Sequence, residues 1–482
     1  MKIIFINPYI PPESFYSHKY KYFGAVLPPL GMAYISAYLK KNGHDSKVLD
    51  ANAEEFTWNQ VASYLDIENP ELIGLYATTL GYGHACEIAS AIRIRYPNIK
   101  TILGGPHAIG ERDKILANKD FDFSCCGEGE LAVEKLLCNL RIGKEDFEGI
   151  DGLVWKRDNG EIVVNPIVNV IDLDEIPSPT EELTSFDYYH QKIFSYIKKP
   201  FGTMMTARGC PFKCIFCSSP NYLKNIQGGK IRKHSIEWLD NELDILVNKK
   251  GIKEIYFVTD TFNFDKSYLD SICRLISDKY PKLIWSCNFE VNIADKKMLA
   301  NMKKSGCWSI MIGAESGNQN ILDTIHKGVD VEQIKKVSDW CYDLKLMGRA
   351  SFIIGHPNET KETIRETIDL AKSINFPFVS FSLMTPMPGT ELFNIAHKYG
   401  DWNYDPKECS LSNVNFVPKG FDKEYLRQIQ KDSHIEVFFN LSKNFRLLRY
   451  LLDKVNLYFF LITTLRMLKI LFMIAVNKTK FR

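Results

Sequence analysis

The chain has 482 residues, 45% hydrophobic and 24% charged, and its 60 Lys and Arg against 58 Asp and Glu leave a formal net charge of +2. That balance describes a globular protein with room for two or three domains and gives no overall field to attract nucleic acid, so no nucleic-acid partner is expected. Residues 1–7 lack the charged region and long apolar run of a secretory signal, and the expected compartment is the cytoplasm, where the twelve cysteines stay reduced.

Residues 1–140 alternate short apolar runs with helical patterns. Residues 2–6 read as a strand ending at Asn7-Pro8-Tyr9, and a helix begins after Pro28-Pro29-Leu30-Gly31 and stops at Asn42-Gly43. Further strands are predicted at 46–50, 72–77 and 101–103, with helices at 61–65 and 84–96, and 121–126 leads into Gly127-Glu128-Gly129-Glu130 and a last helix. This rhythm predicts an α/β domain with a doubly wound parallel sheet of Rossmann-like type, whose ligand lies beyond the carboxyl ends of the strands. The loops there are 7–9, 78–81, 104–107 and 127–129. Their glycines let backbone approach a flat or phosphate-bearing ligand, or simply make turns. A G-x-G-x-x-G dinucleotide pattern is absent.

Residues 141–195 are expected to be a linker carrying a β-hairpin, because 152–155 and 161–165 flank Asp158-Asn159-Gly160, and Asn-Gly tolerates the positive φ of a tight turn. Pro177 and Pro179 with acidic neighbours mark an exposed connection.

The chemistry concentrates in Ala207-Arg208-Gly209-Cys210-Pro211-Phe212-Lys213-Cys214-Ile215-Phe216-Cys217, a C-x₃-C-x₂-C spacing. Thiolates suit zinc or iron–sulfur centres, and structural zinc would want a fourth Cys or His close by, which is missing. Three thiols hold three irons of a cubane and leave one open. A zinc knuckle or three unpaired cysteines are the plainer alternatives, and the other nine cysteines read as buried thiols. Around this loop, residues 196–400 show six strands, at 202–206, 254–258, 283–288, 309–314, 350–354 and 378–383, each followed by a helical stretch. They predict a partial (β/α)₆ TIM-like barrel with reactive groups at the carboxyl ends of its strands.

The cysteine spacing, with aromatic Phe216 before the last cysteine, resembles the signature of the radical S-adenosylmethionine (SAM) superfamily. The resemblance implies a [4Fe-4S] cluster on Cys210, Cys214 and Cys217, with Phe216 among the SAM contacts. By the same match Asp260, in Val258-Thr259-Asp260-Thr261, would meet the SAM amino group, and Glu315-Ser316 would approach its ribose and carboxylate. Gly355 and Glu359, in Gly355-His356-Pro357-Asn358-Glu359-Thr360, would lie beside adenine, although 358–360 reads also as a helix N-cap region. This chain departs from many relatives at Asn288-Phe289-Glu290, which puts Glu where they carry Arg. Arg349 would be either a carboxylate clamp or an ion-paired arginine.

In front of such a barrel, Gly104-Gly105-Pro106-His107 and Gly127-Glu128-Gly129-Glu130 resemble the cobalamin-binding domain of B12-dependent radical SAM enzymes. That implies cobalamin contacts at Asn7, Thr78, Thr79, Gly104, Gly105, Gly127 and Glu128. The Asp-x-His-x-x-Gly loop that brings histidine to cobalt is absent, and His107 is expected to hydrogen-bond within its loop. The family implies reductive SAM cleavage to a 5′-deoxyadenosyl radical under anaerobic conditions, with electrons from a flavodoxin or ferredoxin. The radical would modify an unactivated carbon, with C-methylation ahead of cyclisation or oxidative ring closure. A noncatalytic cobalamin- or redox-sensing protein is the rival from another class. A methylthiotransferase would need a second cysteine triad, which Cys86, Cys125, Cys126 and Cys138 are not spaced to supply.

In the extension 401–482, Arg446, Arg449, Asp453, Asn456, Thr463, Arg466 and Lys469 recur at three- and four-residue intervals among apolar residues. The uncharged run 455–465 spans 11 residues, against roughly 20 needed to cross a bilayer. The pattern predicts an amphipathic helix whose basic stripe, with Lys478, Lys480 and Arg482, meets anionic lipid, or else a helix packed on the barrel or at a dimer interface. Peripheral membrane contact and a hydrophobic, lipid-like small-molecule substrate are the corresponding expectations.

Overall fold

A computed structural model of the chain describes residues 1–11, 25–183, 186–190, 195–225, 229–406 and 414–465. Its first half runs β1 (Lys2–Ile6), α1 (Leu30–Lys41), β2 (Asp45–Leu49), α2 (Trp58–Glu68), β3 (Leu72–Tyr76), α3 (Tyr82–Arg95), β4 (Lys100–Gly104), α4 (Pro106–Glu111), β5 (Phe123–Cys125) and α5 (Gly129–Arg141). The five strands are parallel in the order β2-β1-β3-β4-β5. Alternate side chains of β1 go to opposite faces: Ile4 and Ile6 pack with Val61, Ala85 and Ala89, and Ile3 and Phe5 with Met32, Leu39 and Leu136. A strand covered on both faces is apolar throughout, which made these runs legible.

The predicted hairpin forms as β6 (Leu153–Lys156) and β7 (Ile162–Val164), and it extends the first sheet instead of standing between domains. β6 pairs antiparallel with β5 and β7 with β6, so the sheet has seven strands and an antiparallel edge. Val154 and Trp155 are buried in the cores on the two faces of that sheet.

The second half begins with β8 (Phe201–Met204), β9 (Ala207–Arg208), α6 (Ser218–Asn225), β10 (Arg232–Lys233) and α7 (Ile236–Leu243), in which β9 and β10 form a short antiparallel ribbon. It continues with β11 (Glu254–Phe257), α8 (Lys266–Lys279), β12 (Ile284–Asn288), α9 (Lys296–Lys304), β13 (Cys307–Glu315), α10 (Gln319–Thr324), α11 (Val331–Leu344), β14 (Met347–Ile354), α12 (Lys361–Ser373) and β15 (Phe378–Leu383). The six long strands are parallel in the order β8-β11-β12-β13-β14-β15, without closure between β8 and β15. Asp265, Asp295, Asp330 and Thr360 cap the outer helices by accepting backbone N–H bonds in the first turn. A shared core of Leu30, Ala33 and Tyr34 with Ile176, Tyr189, Phe201 and Tyr256 holds the two halves together.

The extension contains α13 (Glu391–Ile395), the strands β16 (Gly400–Trp402) and β17 (Phe416–Pro418), α14 (Lys423–Phe438), α15 (Leu441–Leu447) and a helical stretch at 454–465. Of the two arrangements expected for the polar stripe, its described part takes the one packed on the barrel. Arg446 donates to the carbonyls of Ser373 (3.0 Å) and Lys372 (3.1 Å), and Asn456 donates to that of Lys345 (2.9 Å). Asp453 pairs with Lys303 at 3.1 Å, and Thr463 is buried. The reason is that α11 and α12 end at this face of the barrel, and the last carbonyls of a helix lack intrahelical donors. Arg449 lies over the Tyr342 ring at 4.9 Å. Arg466, Lys469, Lys478, Lys480 and Arg482 lie outside the described residues.

Candidate active site

A cavity of about 420 Å³ lies between the carboxyl ends of the first sheet and those of the barrel. The first half contributes Phe5, Gly31, Gly74, Tyr76 and the loops at Gly104-Gly105 and Gly127-Glu128; the barrel contributes Met205, Ala207-Arg208-Gly209, Val258 and Asp260. A Cβ on Gly31 or Gly104 would meet no atom within 4 Å, so bare backbone there borders open space and a flat ligand can lie against it. Gly105 answers a different need: its φ is +102°, and a Cβ would stand 2.7 Å from the Ala77 carbonyl.

Ion pairs cross the wall of this cavity. Arg208, on β9 and two residues before Cys210, reaches Glu130 at 2.7 Å and Glu128 at 3.2 Å and lies 5.2 Å from the Tyr34 ring centre. Arg232, beside it on β10, also pairs with Glu128. Burial by itself would raise the Glu128 pKa, but Arg208 and Arg232 outweigh it and hold the carboxyl below its usual range. Glu130 keeps one buried oxygen, Oε2, without a protein partner.

The cysteine loop leaves β9 and is tied to the barrel rim by Ile215 N–H to Ile325 (3.1 Å) and Leu392 N–H to Ile215 (2.8 Å). Cys214 is buried and Cys210 and Cys217 half-buried, with the Cys210 sulfur 3.3 Å from the Thr261 hydroxyl. Burial raises the thiol pKa of Cys210, and pushes that of Cys214 up to about 12 even with Lys327 nearby. Three soft donors on one loop suit a metal that would displace those protons. Lys327 pairs with Glu290 (3.4 Å) and Glu315 (3.8 Å), so the charge that sets Asn288-Phe289-Glu290 apart is matched within the chain. Asp260 accepts from Ser219 (3.0 Å); it faces the open cavity yet is hemmed in by protein, which raises its pKa.

Models of two families match the chain, the radical SAM superfamily over residues 204–371 and the B12 binding domain over 21–137. An uncharacterized methyltransferase of Pyrococcus horikoshii is 35% identical over 399 residues, covering 82% of this chain and 83% of that protein. The chain belongs to the cobalamin-binding radical SAM enzymes. An anaerobic magnesium-protoporphyrin IX monomethyl ester cyclase of Rubrivivax gelatinosus is 26% identical, over 82% of this chain and 69% of its own length. The fold is that of the cobalamin-dependent SAM radical enzyme OxsB, whose structure with aqua-cobalamin and SAM superposes with a TM-score of 0.71 at 17% identity, over 95% of this chain and 72% of that one.

The cofactors of this family are a [4Fe-4S] cluster, SAM and cobalamin, and the residues present fit them. Bare backbone at Gly31 and Gly104 borders the cavity, and no histidine is among its described lining residues. Of the residues matched to cobalamin contacts, Gly104, Gly105, Gly127 and Glu128 line the cavity. Asn7, Thr78 and Thr79 do not: Asn7 donates to Asp50 (2.8 Å), Thr78 accepts from Gly81 N–H (3.2 Å), and Thr79 lies 3.4 Å from His107 Nδ1. His107 is packed on Tyr82 with ring centres 4.0 Å apart, and burial pushes its pKa down to about 4, so it stays a neutral loop residue.

Of the residues matched to SAM contacts, Asp260 borders the cavity, and the others gather at the barrel rim around His356. The His356 Nε2 is 3.4 Å from the Glu315 carbonyl, and Phe216 stands edge-on to its ring at 6.4 Å. Glu359 accepts from Gly355 N–H and, at 3.1 Å, from His356 N–H, bracing the turn in which Gly355 has a φ of +94°. The Ser316 hydroxyl is taken up by Thr367 (3.1 Å) and Asn318 N–H (3.2 Å), and it is buried. Arg349 sits near the amino end of β14, half-buried, with its guanidinium 4.9 Å from the Trp308 ring centre, and it is not among the residues lining the cavity. Arg208, Glu130, Arg232, Lys327 and His356 were not singled out as site residues by the sequence. Arg208 and Glu130 stand inside the very motifs that were, and proximity to those motifs was the signal for them.

Proposed function

We propose that this enzyme methylates an unactivated carbon of a hydrophobic small molecule, with electrons from a flavodoxin- or ferredoxin-type donor. One observation carries the reading: the glycine loops of the first sheet and the residues flanking the cysteine loop line a single cavity. When bound, the cluster and SAM supply a radical route to an unactivated carbon, and cobalamin supplies a transferable methyl group. The chain's own part would be to offer the glycine loops of the first sheet and the flank of the cysteine loop to those groups, with Asp260 offering its carboxylate to a cationic amino group and Phe5, Tyr76, Met205 and Val258 excluding water. The apolar lining favours a hydrophobic substrate, and the methyltransferase relative of Pyrococcus horikoshii supports methyl transfer. Ring closure is the second reading, favoured by the cyclase relative of Rubrivivax gelatinosus.

The test is anaerobic reconstitution with iron, sulfide and hydroxocobalamin, then incubation with methyl-labelled SAM, a reductant and fractionated lipid and polar extracts, read by mass spectrometry. Label should enter a carbon-bound methyl of a lipid-fraction product. Cys214→Ala should abolish both label transfer and SAM cleavage. A cyclised, unlabelled product would establish the second reading, and SAM cleavage unaffected by Cys214→Ala would overturn both.

A further inference from the structure

The carboxyl-terminal elements bury several polar side chains while leaving a set of large apolar ones exposed. In the stretch 454–465, Asn456, Phe459 and Thr463 face the barrel, whereas Leu457, Leu461 and Leu465 are exposed. Just before it, Lys443 is buried with its Nζ donating to the Ala371 carbonyl (2.7 Å), while Phe438, Phe445 and Leu452 are exposed at 71%, 76% and 72%. Asn456 Oδ1 and Thr463 Oγ1 are even buried without partners. A surface helix in contact with water shows the reverse arrangement, and an apolar patch of this kind marks an interface.

Two features of the chain choose the occupant. The sequence that follows, 466–482, carries Arg466, Lys469, Lys478, Lys480 and Arg482 and no acidic residue, and the whole run 455–476 has only Arg466 and Lys469 as charges. An anionic lipid surface complements both the apolar face and the basic charge of this sequence. Among the described residues no helix is long and apolar enough to cross a membrane.

We propose that this face seats the enzyme on an anionic bilayer surface. The contact is made by the apolar residues that point away from the barrel, and the polar stripe of the same helices serves to dock them onto it. Phe459 packs with Trp308, Met347 and Phe378 at the amino ends of the barrel strands, so the lipid contact lies at the end of the barrel away from the cavity. It anchors the enzyme and does not feed the cavity, and it stands whether or not the substrate is a lipid.

Flotation of the full-length, reconstituted protein with vesicles tests this, comparing phosphatidylcholine alone with a phosphatidylcholine and phosphatidylglycerol mixture. The protein should float with the anionic vesicles and be released by salt. The variant Phe445→Asp/Leu452→Asp/Leu461→Asp should lose about tenfold or more in vesicle affinity with SAM cleavage unchanged. Phe445→Trp supplies a second reading that needs no destabilising change: its fluorescence should shift to the blue when anionic vesicles are added. The proposal is overturned if wild type ignores anionic vesicles, if the triple variant binds them equally well, or if the face instead holds a solution dimer that the triple variant converts to monomer.

Discussion

Glu359 shows how a single carboxyl is placed by its surroundings. It is 3% exposed, accepts two backbone N–H groups on one oxygen, and has its other oxygen, Oε1, buried without a partner. Burial raises its pKa from 4.5 to about 8, with the two N–H groups opposing. A folded-state value above the unfolded one favours the protonated form, so this residue's contribution to stability is fully present below pH 4.5 and is lost as pH rises through 8. Glu359→Gln keeps an oxygen for Gly355 and His356 but cannot ionise. Its melting temperature should therefore fall less than that of wild type between pH 5 and pH 9, the slope for one group being at most about 1.4 kcal/mol per pH unit. Equal slopes in thermal melts of the two proteins would remove Glu359 as a buried acid. The sequence displayed this carboxyl beside a glycine turn as a SAM contact or part of a cap. It could not show that the side chain folds back on its own loop while Thr360 caps α12, because both arrangements use the same residues.

At the scale of elements, strands were legible and their partners only partly so. Apolar runs such as 3–6 and 255–258 announce buried parallel strands, but which edge the 153–164 hairpin joins depends on non-local pairing with β5. The tail's polar stripe was visible too, yet its direction was set by the open carbonyls of Lys345, Lys372 and Ser373, residues distant in sequence. The ribbon β9–β10 carries the strongest consequence of such non-local pairing, since Arg208 and Arg232 converge on the loop that opens α5. Removing one member of a buried ion pair leaves the other charge uncompensated, at about 3–5 kcal/mol. Arg208→Ala should therefore lower stability by that amount in chemical denaturation, and adding Glu130→Gln should cost much less than Glu130→Gln does alone. Strict additivity of the two would mean that the pair does not couple the halves.

For the whole molecule, the decisive fact is that two sheets built by separate stretches of chain present their carboxyl ends to one cavity, and this makes the adjacent glycines Gly104 and Gly105 separable by experiment. Gly104 ends β4 with room for a side chain, since an added Cβ meets no atom within 4 Å. Gly104→Val should fold with stability within about 0.5 kcal/mol of wild type, because nothing protein-made is displaced and a β-branched residue suits a strand. Its isopropyl group would stand where a flat ligand must approach, so cobalamin should no longer co-elute with the reconstituted protein, as read from visible absorbance after gel filtration. SAM cleavage, which depends on the barrel's cysteine loop, should persist. Gly105→Val should fail differently: at a φ of +102° and 2.7 Å from the Ala77 carbonyl, the new side chain strains the turn itself, and the protein should melt earlier whether cobalamin is present or not. If Gly104→Val retains cobalamin as wild type does, the corrin ring does not lie on this wall, and the cavity's two faces would have to be assigned to SAM and substrate alone.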